Sequence, residues 1–75
     1  MNNEWLLLVH QLPTRPSKAR VGTWRRLQKV GAVGLRNSVW VLPASQQSRE
    51  DFEWIKAEIL ALKGQASVFA AQGVD

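Results

Sequence analysis

The chain is 75 residues long, 45% hydrophobic and 21% charged, with a net charge of +4 and no cysteine. That length holds one small core, which excludes a second independent domain and a large multi-step active site. Without cysteine there is no disulfide framework, thiol nucleophile, zinc ribbon or iron–sulfur ligation to consider.

Trp5 to Val9 is an uninterrupted apolar run ending at Leu12-Pro13. Its length and lack of helical caps predict a strand buried on both faces. It is too short to span a membrane and comes after Glu4 instead of a positive charge, so neither a signal peptide nor an anchor fits. Pro13-Thr-Arg-Pro16 cannot continue a ladder and reads as a loop, with Thr14 or Ser17 placed to cap the next element. Ser17 to Val30 then reads as a helix with Trp24, Leu27, Val30 and Gly31 on one side and Lys18, Gly22, Arg25 and Lys29 on the other. Gly31 stands where a helix end needs a left-handed residue.

Ala32 to Arg36 and Ser38 to Leu42 are two β-type runs joined at Asn37, and Gly34 inside the first predicts a bulge or a close backbone approach. Pro43 stops the second run. Ser48 with Asp51 three residues on resembles a capping box for a helix from Ser48 to Lys63, closed by Gly64, with Phe52, Ile55, Ile59 and Leu62 as its core stripe. Ala66 to Ala71 is a last strand. The order predicts an α+β fold, a ferredoxin-like βαββαβ sandwich in which a four-stranded antiparallel sheet carries both helices on one face. Its central strands would be the first and third, and both are apolar on both sides. Two helices cover one face only, so Trp5, Leu7, Trp40 and the outward Trp54, beside Ala57 and Ala61, are the candidate interface residues. The occupant would be a second copy, giving a homodimer, or a further region of a longer protein of which residues 1–75 are a fragment.

The net charge divides unevenly. Residues 1–49 hold eight Lys or Arg against the single acid Glu4, a net +7, while residues 50–75 hold two against five acids, a net −3. Arg15, Lys18, Arg25, Arg26 and Lys29 form a basic stripe without i, i+4 acids, suited either to a phosphate backbone or to solvation and inter-domain pairing. Arg20 falls on the Trp24 and Leu27 side, where it must snorkel or find an internal partner, and reads as a structural arginine holding the loop after the first strand. The lone His10 lacks metal-ligand partners and reads as structural or solvent-facing. No nucleophile elbow or oxyanion loop accompanies the serines. The chain is therefore expected to be no enzyme and to hold neither metal nor cofactor.

Taken in order, Trp5-Leu-Leu-Leu, Leu12-Pro-Thr14, Arg20-x-x-x-Trp24-Arg25-x-Leu27, Gly31-Ala-x-x-Leu35-Arg36 and Val39-x-x-Leu42-Pro43 resemble the amino-terminal domain of the chromate-resistance regulators of the ChrB type. The resemblance covers nearly the whole chain. It implies a bacterial cytoplasmic protein and the first domain of a chromate-responsive transcriptional regulator; together with the basic helix and the doubly apolar central strands, it leads to the expectation of a module that helps the regulator dimerise and contact operator DNA. An alternative it leaves open is an interaction or oxyanion-sensing module that touches no DNA and uses Arg15, Arg20 and Arg36. The segment is also similar to the middle domain of phenylacetate-degradation repressors, which in turn resembles ferredoxin-like CRISPR-adaptation nucleases that dimerise through their sheets. Those nucleases use an Asp at the end of the first strand; here that stretch is His10-Gln-Leu12, so the nuclease chemistry does not carry over.

Overall fold

The computed structural model describes residues 4–14, 17–36 and 38–74. In chain order these form β1 (Glu4–Gln11), α1 (Ser17–Lys29), β2 (Val33–Arg36), β3 (Val39–Pro43), α2 (Gln46–Ala61) and β4 (Gln65–Gln72). The strands make one antiparallel sheet in the order β2-β3-β1-β4, so β1 and β3 are central, as the ferredoxin-like reading requires. Arg15 and the hairpin residue Asn37 lie outside the described residues. No described helix is long and apolar enough to cross a membrane.

Strand alternation sets the two faces. Leu6 pairs with Leu42 and Leu8 with Trp40, and all four are buried against Leu27 of α1 and Phe52, Ile55 and Ile59 of α2. His10 comes two residues after Leu8 and therefore shares the helix-covered face. Trp5, Leu7 and Val9 point the other way, together with their partners Val39 and Val41 on β3 and Phe69 and Ala71 on β4. The expected bulge is present as a register shift between Gly34 and Arg36. Gly34 faces Trp40, and a side chain there would begin 3.4 Å from the indole ring.

Four details of the helices differ from the sequence reading. Trp24 is 53% exposed and lies at the margin of the buried stripe of α1, whose buried residues are Thr23 and Leu27. At ~100° per residue the stripe centres between Thr23 and Leu27, which leaves Trp24 well to one side. The start of α2 is capped by Ser45, three residues before Ser48. Its hydroxyl accepts from the Ser48 N–H at 3.0 Å, while the Ser45 N–H donates to the Ser48 hydroxyl at 2.9 Å, so Ser48 occupies the position usually held by Glu or Gln. The Ser48 hydroxyl also donates to the Pro43 carbonyl at 2.7 Å, which ties the cap to the end of β3.

At the other end of α2, Lys63 and not Gly64 takes the left-handed conformation, with φ of 68°. The Gly64 N–H reaches back to the Ile59 carbonyl and the Lys63 N–H to the Leu60 carbonyl, a Schellman closure. Helix α1 ends in the same motif, there with Gly31 at φ 84° as the sequence predicts. Leu62, expected in the α2 core stripe, is 41% exposed because the helix has already closed.

Candidate functional site

Directly opposite Thr23 and Leu27 on α1 stand Lys18, Arg25 and Lys29, all exposed. They span 12 residues, or roughly 16 Å of helix axis from first to last. The first turn of α1 contains no acid, and its last turn adds Arg26 and Lys29 to the carbonyl-rich end, where cations are favoured. Arg26 is turned aside from this row toward α2, where its Nε lies 2.6 Å from a carboxylate oxygen of Glu58. That is the one salt bridge among the described residues. Four of the five cations of the expected basic stripe can thus be placed, and three of them form a continuous outward row.

The flank of α1 on the Trp24 side borders a cavity of 530 Å3 between the helix, the end of β1 and the start of β3. Arg20, Val21 and Trp24 line it from the helix, His10 and Leu12 from β1 and the residues after it, and Trp40 from β3. The backbone N–H of His10 donates to the Ser38 carbonyl at 2.9 Å, which fixes the two strands where they meet at the cavity. Burial pulls the His10 ring below its usual pKa of 6.5, and the nearby Arg20 guanidinium acts in the same direction, against the Ser38 backbone, which favours the protonated ring. The His10 Nδ1 and the Trp40 Nε1 are both buried without a hydrogen-bond partner among the described residues.

Arg20 borders this cavity together with Leu12 and Thr14 of the loop after β1; it is exposed and has no ion pair among the described residues. Arg36 does not join it. It pairs with Val39 and so belongs to the sheet face away from the helices. The expected trio of Arg15, Arg20 and Arg36 is not assembled among the described residues. Sequence reasoning also missed the orphaned Trp40 N–H and the half-buried His10. The signal available was the Leu6, Leu8, His10 alternation, which already assigns the histidine to the covered face.

Of the expected interface residues, Trp5 is 40% exposed and Leu7 half-buried on the open sheet face, while Trp54 is 68% exposed on the outer face of α2. Trp40 is not available as an interface residue: it is 6% exposed and belongs to the core, since it pairs with Leu8 on the helix-covered side. The open face presents Trp5, Leu7, Val9, Val39, Val41 and Phe69 with Arg36 at its rim.

The architecture defines a small α+β module of the ferredoxin-like class, with a basic helix on one side and an uncovered apolar sheet face on the other. The chain belongs to the family of ChrB amino-terminal domains: the family model described as "Protein ChrB, N-terminal" matches residues 20–75. It is 32% identical over 71 residues to Protein ChrB of Cupriavidus metallidurans. That match covers 95% of this chain and 22% of the relative, so the chain spans about a fifth of the curated protein.

Proposed function

We propose that the chain is the amino-terminal module of a chromate-responsive transcriptional regulator, and that it contributes dimerisation and DNA contact from opposite sides of the fold. The reading rests on the row Lys18, Arg25 and Lys29, which faces solvent without a neutralising partner among the described residues. An exposed helix with mixed charges would be ordinary; a row of one sign over three turns suits a polyanion. Family membership supports a module of a ChrB-type chromate-resistance protein, and the regulatory role is part of the proposal. The apolar sheet face supports pairing with a second copy, because a flat face without opposed charges is self-complementary under two-fold symmetry and leaves both α1 helices outward. Location in the bacterial cytoplasm accords with this role. No catalytic, metal or cofactor step forms part of it.

The test is a binding titration on duplex DNA with the chain and its Arg25→Glu/Lys29→Glu double variant. The reading expects the double variant to lose most of its affinity, and equal affinity would refute DNA contact through α1. A second reading, an oxyanion-sensing module that touches no DNA, is favoured by one observation: Arg20 is uncompensated at the mouth of a cavity among the described residues. Calorimetry with chromate and with sulfate tests it, and absence of heat at millimolar anion would count against it.

A further inference from the structure

The cavity between α1 and the ends of β1 and β3 has no part in DNA contact or in sheet pairing. It is lined by one cation, Arg20, and by no Asp or Glu among the described residues. Leu12, Val21 and Trp24 give it an apolar wall. At 530 Å3 it falls within the range of about 300–1,000 Å3 found for small-molecule sites. A tetrahedral oxyanion has five heavy atoms and would leave most of that volume and all of the apolar wall unused.

The polar side chains at the site include hydroxyls and an amide, which both donate and accept, and two groups that only donate. The Arg20 guanidinium can only donate, and so can the Trp40 indole N–H. Trp40 is 6% exposed, and its Nε1 finds no acceptor among the described residues. That nitrogen is covered by the protein itself, so Arg20 is the donor-only group open to an occupant. A carboxylate supplies acceptor oxygens for the Arg20 guanidinium, and its charge opposes that cation. The exposed Trp24 indole, one turn along α1 from Arg20, offers a flat surface for an apolar body.

We propose that this cavity binds a small organic carboxylate with a flat apolar body, the carboxylate held by Arg20 and the body against Trp24. The inference is independent of the DNA reading, because Lys18, Arg25 and Lys29 do not line the cavity.

The experiment titrates the chain with 2-naphthoate by calorimetry. It repeats the titration with neutral 2-naphthalenemethanol, with sulfate in excess, and with the Arg20→Gln and Trp24→Ala variants. Both side chains are exposed, so both variants should keep the fold, which circular dichroism checks. The expected result is saturable binding of one 2-naphthoate per chain, weakened at least tenfold by Arg20→Gln and by loss of the ligand's charge, weakened by Trp24→Ala, and undisturbed by sulfate. The proposal is overturned if 2-naphthoate gives no saturable heat, or if the folded variants bind it as the parent chain does. It is also overturned if the excess sulfate displaces it, since the site would then be one for simple oxyanions.

Discussion

Gly64 lies so close to the carbonyl of Gln11 that a methyl group on it would stand 2.5 Å from the oxygen. The same methyl would meet Ile59 Cγ2 at 2.8 Å. This approach seats the end of α2 on the end of β1, beside the Leu12 that borders the cavity. The glycine is needed for space and not for a left-handed backbone, because Lys63 carries the positive φ. Gly64→Ala is therefore expected to destabilise the fold by about 1–3 kcal/mol, the usual cost of overpacking against backbone. By contrast, Gly22 sits within α1 with nothing within 4 Å of the position a Cβ would take. Gly22→Ala should raise stability by about 0.5–1 kcal/mol through the lower backbone entropy of the unfolded chain. Urea unfolding of the two variants measures both signs.

Acid should weaken the fold through His10. Its pKa is lowered in the folded state, chiefly by burial, so between that lowered value and the unfolded value near 6.5 the unfolded chain binds more protons. The stability associated with a neutral His10 is fully present above pH 6.5 and is lost as pH falls through the folded pKa. Equilibrium unfolding from neutral pH to about pH 5 should show this decline in the parent chain. A His10→Gln variant should show a shallower decline over the same interval, and matching curves would remove His10 as the cause.

Pairing through the open sheet face gives a different expectation. Light scattering should find a dimer, and Leu7→Glu, which places a charge at the middle of β1 on that face, should give a folded monomer with unchanged far-ultraviolet circular dichroism. A parent chain that stays monomeric at the highest concentration reached would leave the face to another occupant.

Particular residues show how much of the fold and site is legible in the sequence. The order of the elements, the left-handed Gly31 and the bulge after Gly34 come from local pattern, because alternation and turn chemistry act over a few residues, and the central places of β1 and β3 follow from the topology which that order implies. Trp24 shares one flank with Leu27 on a helical wheel, and a tryptophan there suggests core. The packing partner of α1 instead meets Thr23, a small polar residue that periodicity gives no reason to bury. The cap of α2 is ambiguous for a similar reason: Ser45 and Ser48 are both competent, and what selects Ser45 is the Pro43 carbonyl that receives the Ser48 hydroxyl. The Lys18, Arg25, Lys29 row is visible from spacing alone. The separation of Arg26 from that row is not, since it depends on where α2 brings Glu58. The cavity arises from three elements meeting at one end of the sheet, and only His10 signals it.

The salt dependence of duplex binding tests the central claim, DNA contact through the outward face of α1, most directly. Each phosphate contact contributes about −0.9 to the slope of log affinity against log salt, so three contacts from Lys18, Arg25 and Lys29 correspond to about −2.7 per chain. Replacing Arg25 by Gln should make the slope shallower by about one unit and weaken binding across sequences alike. Arg26→Gln should change it much less, because that guanidinium already faces Glu58. Equal slopes for the parent chain and Arg25→Gln, or a larger effect from Arg26→Gln, would contradict the account.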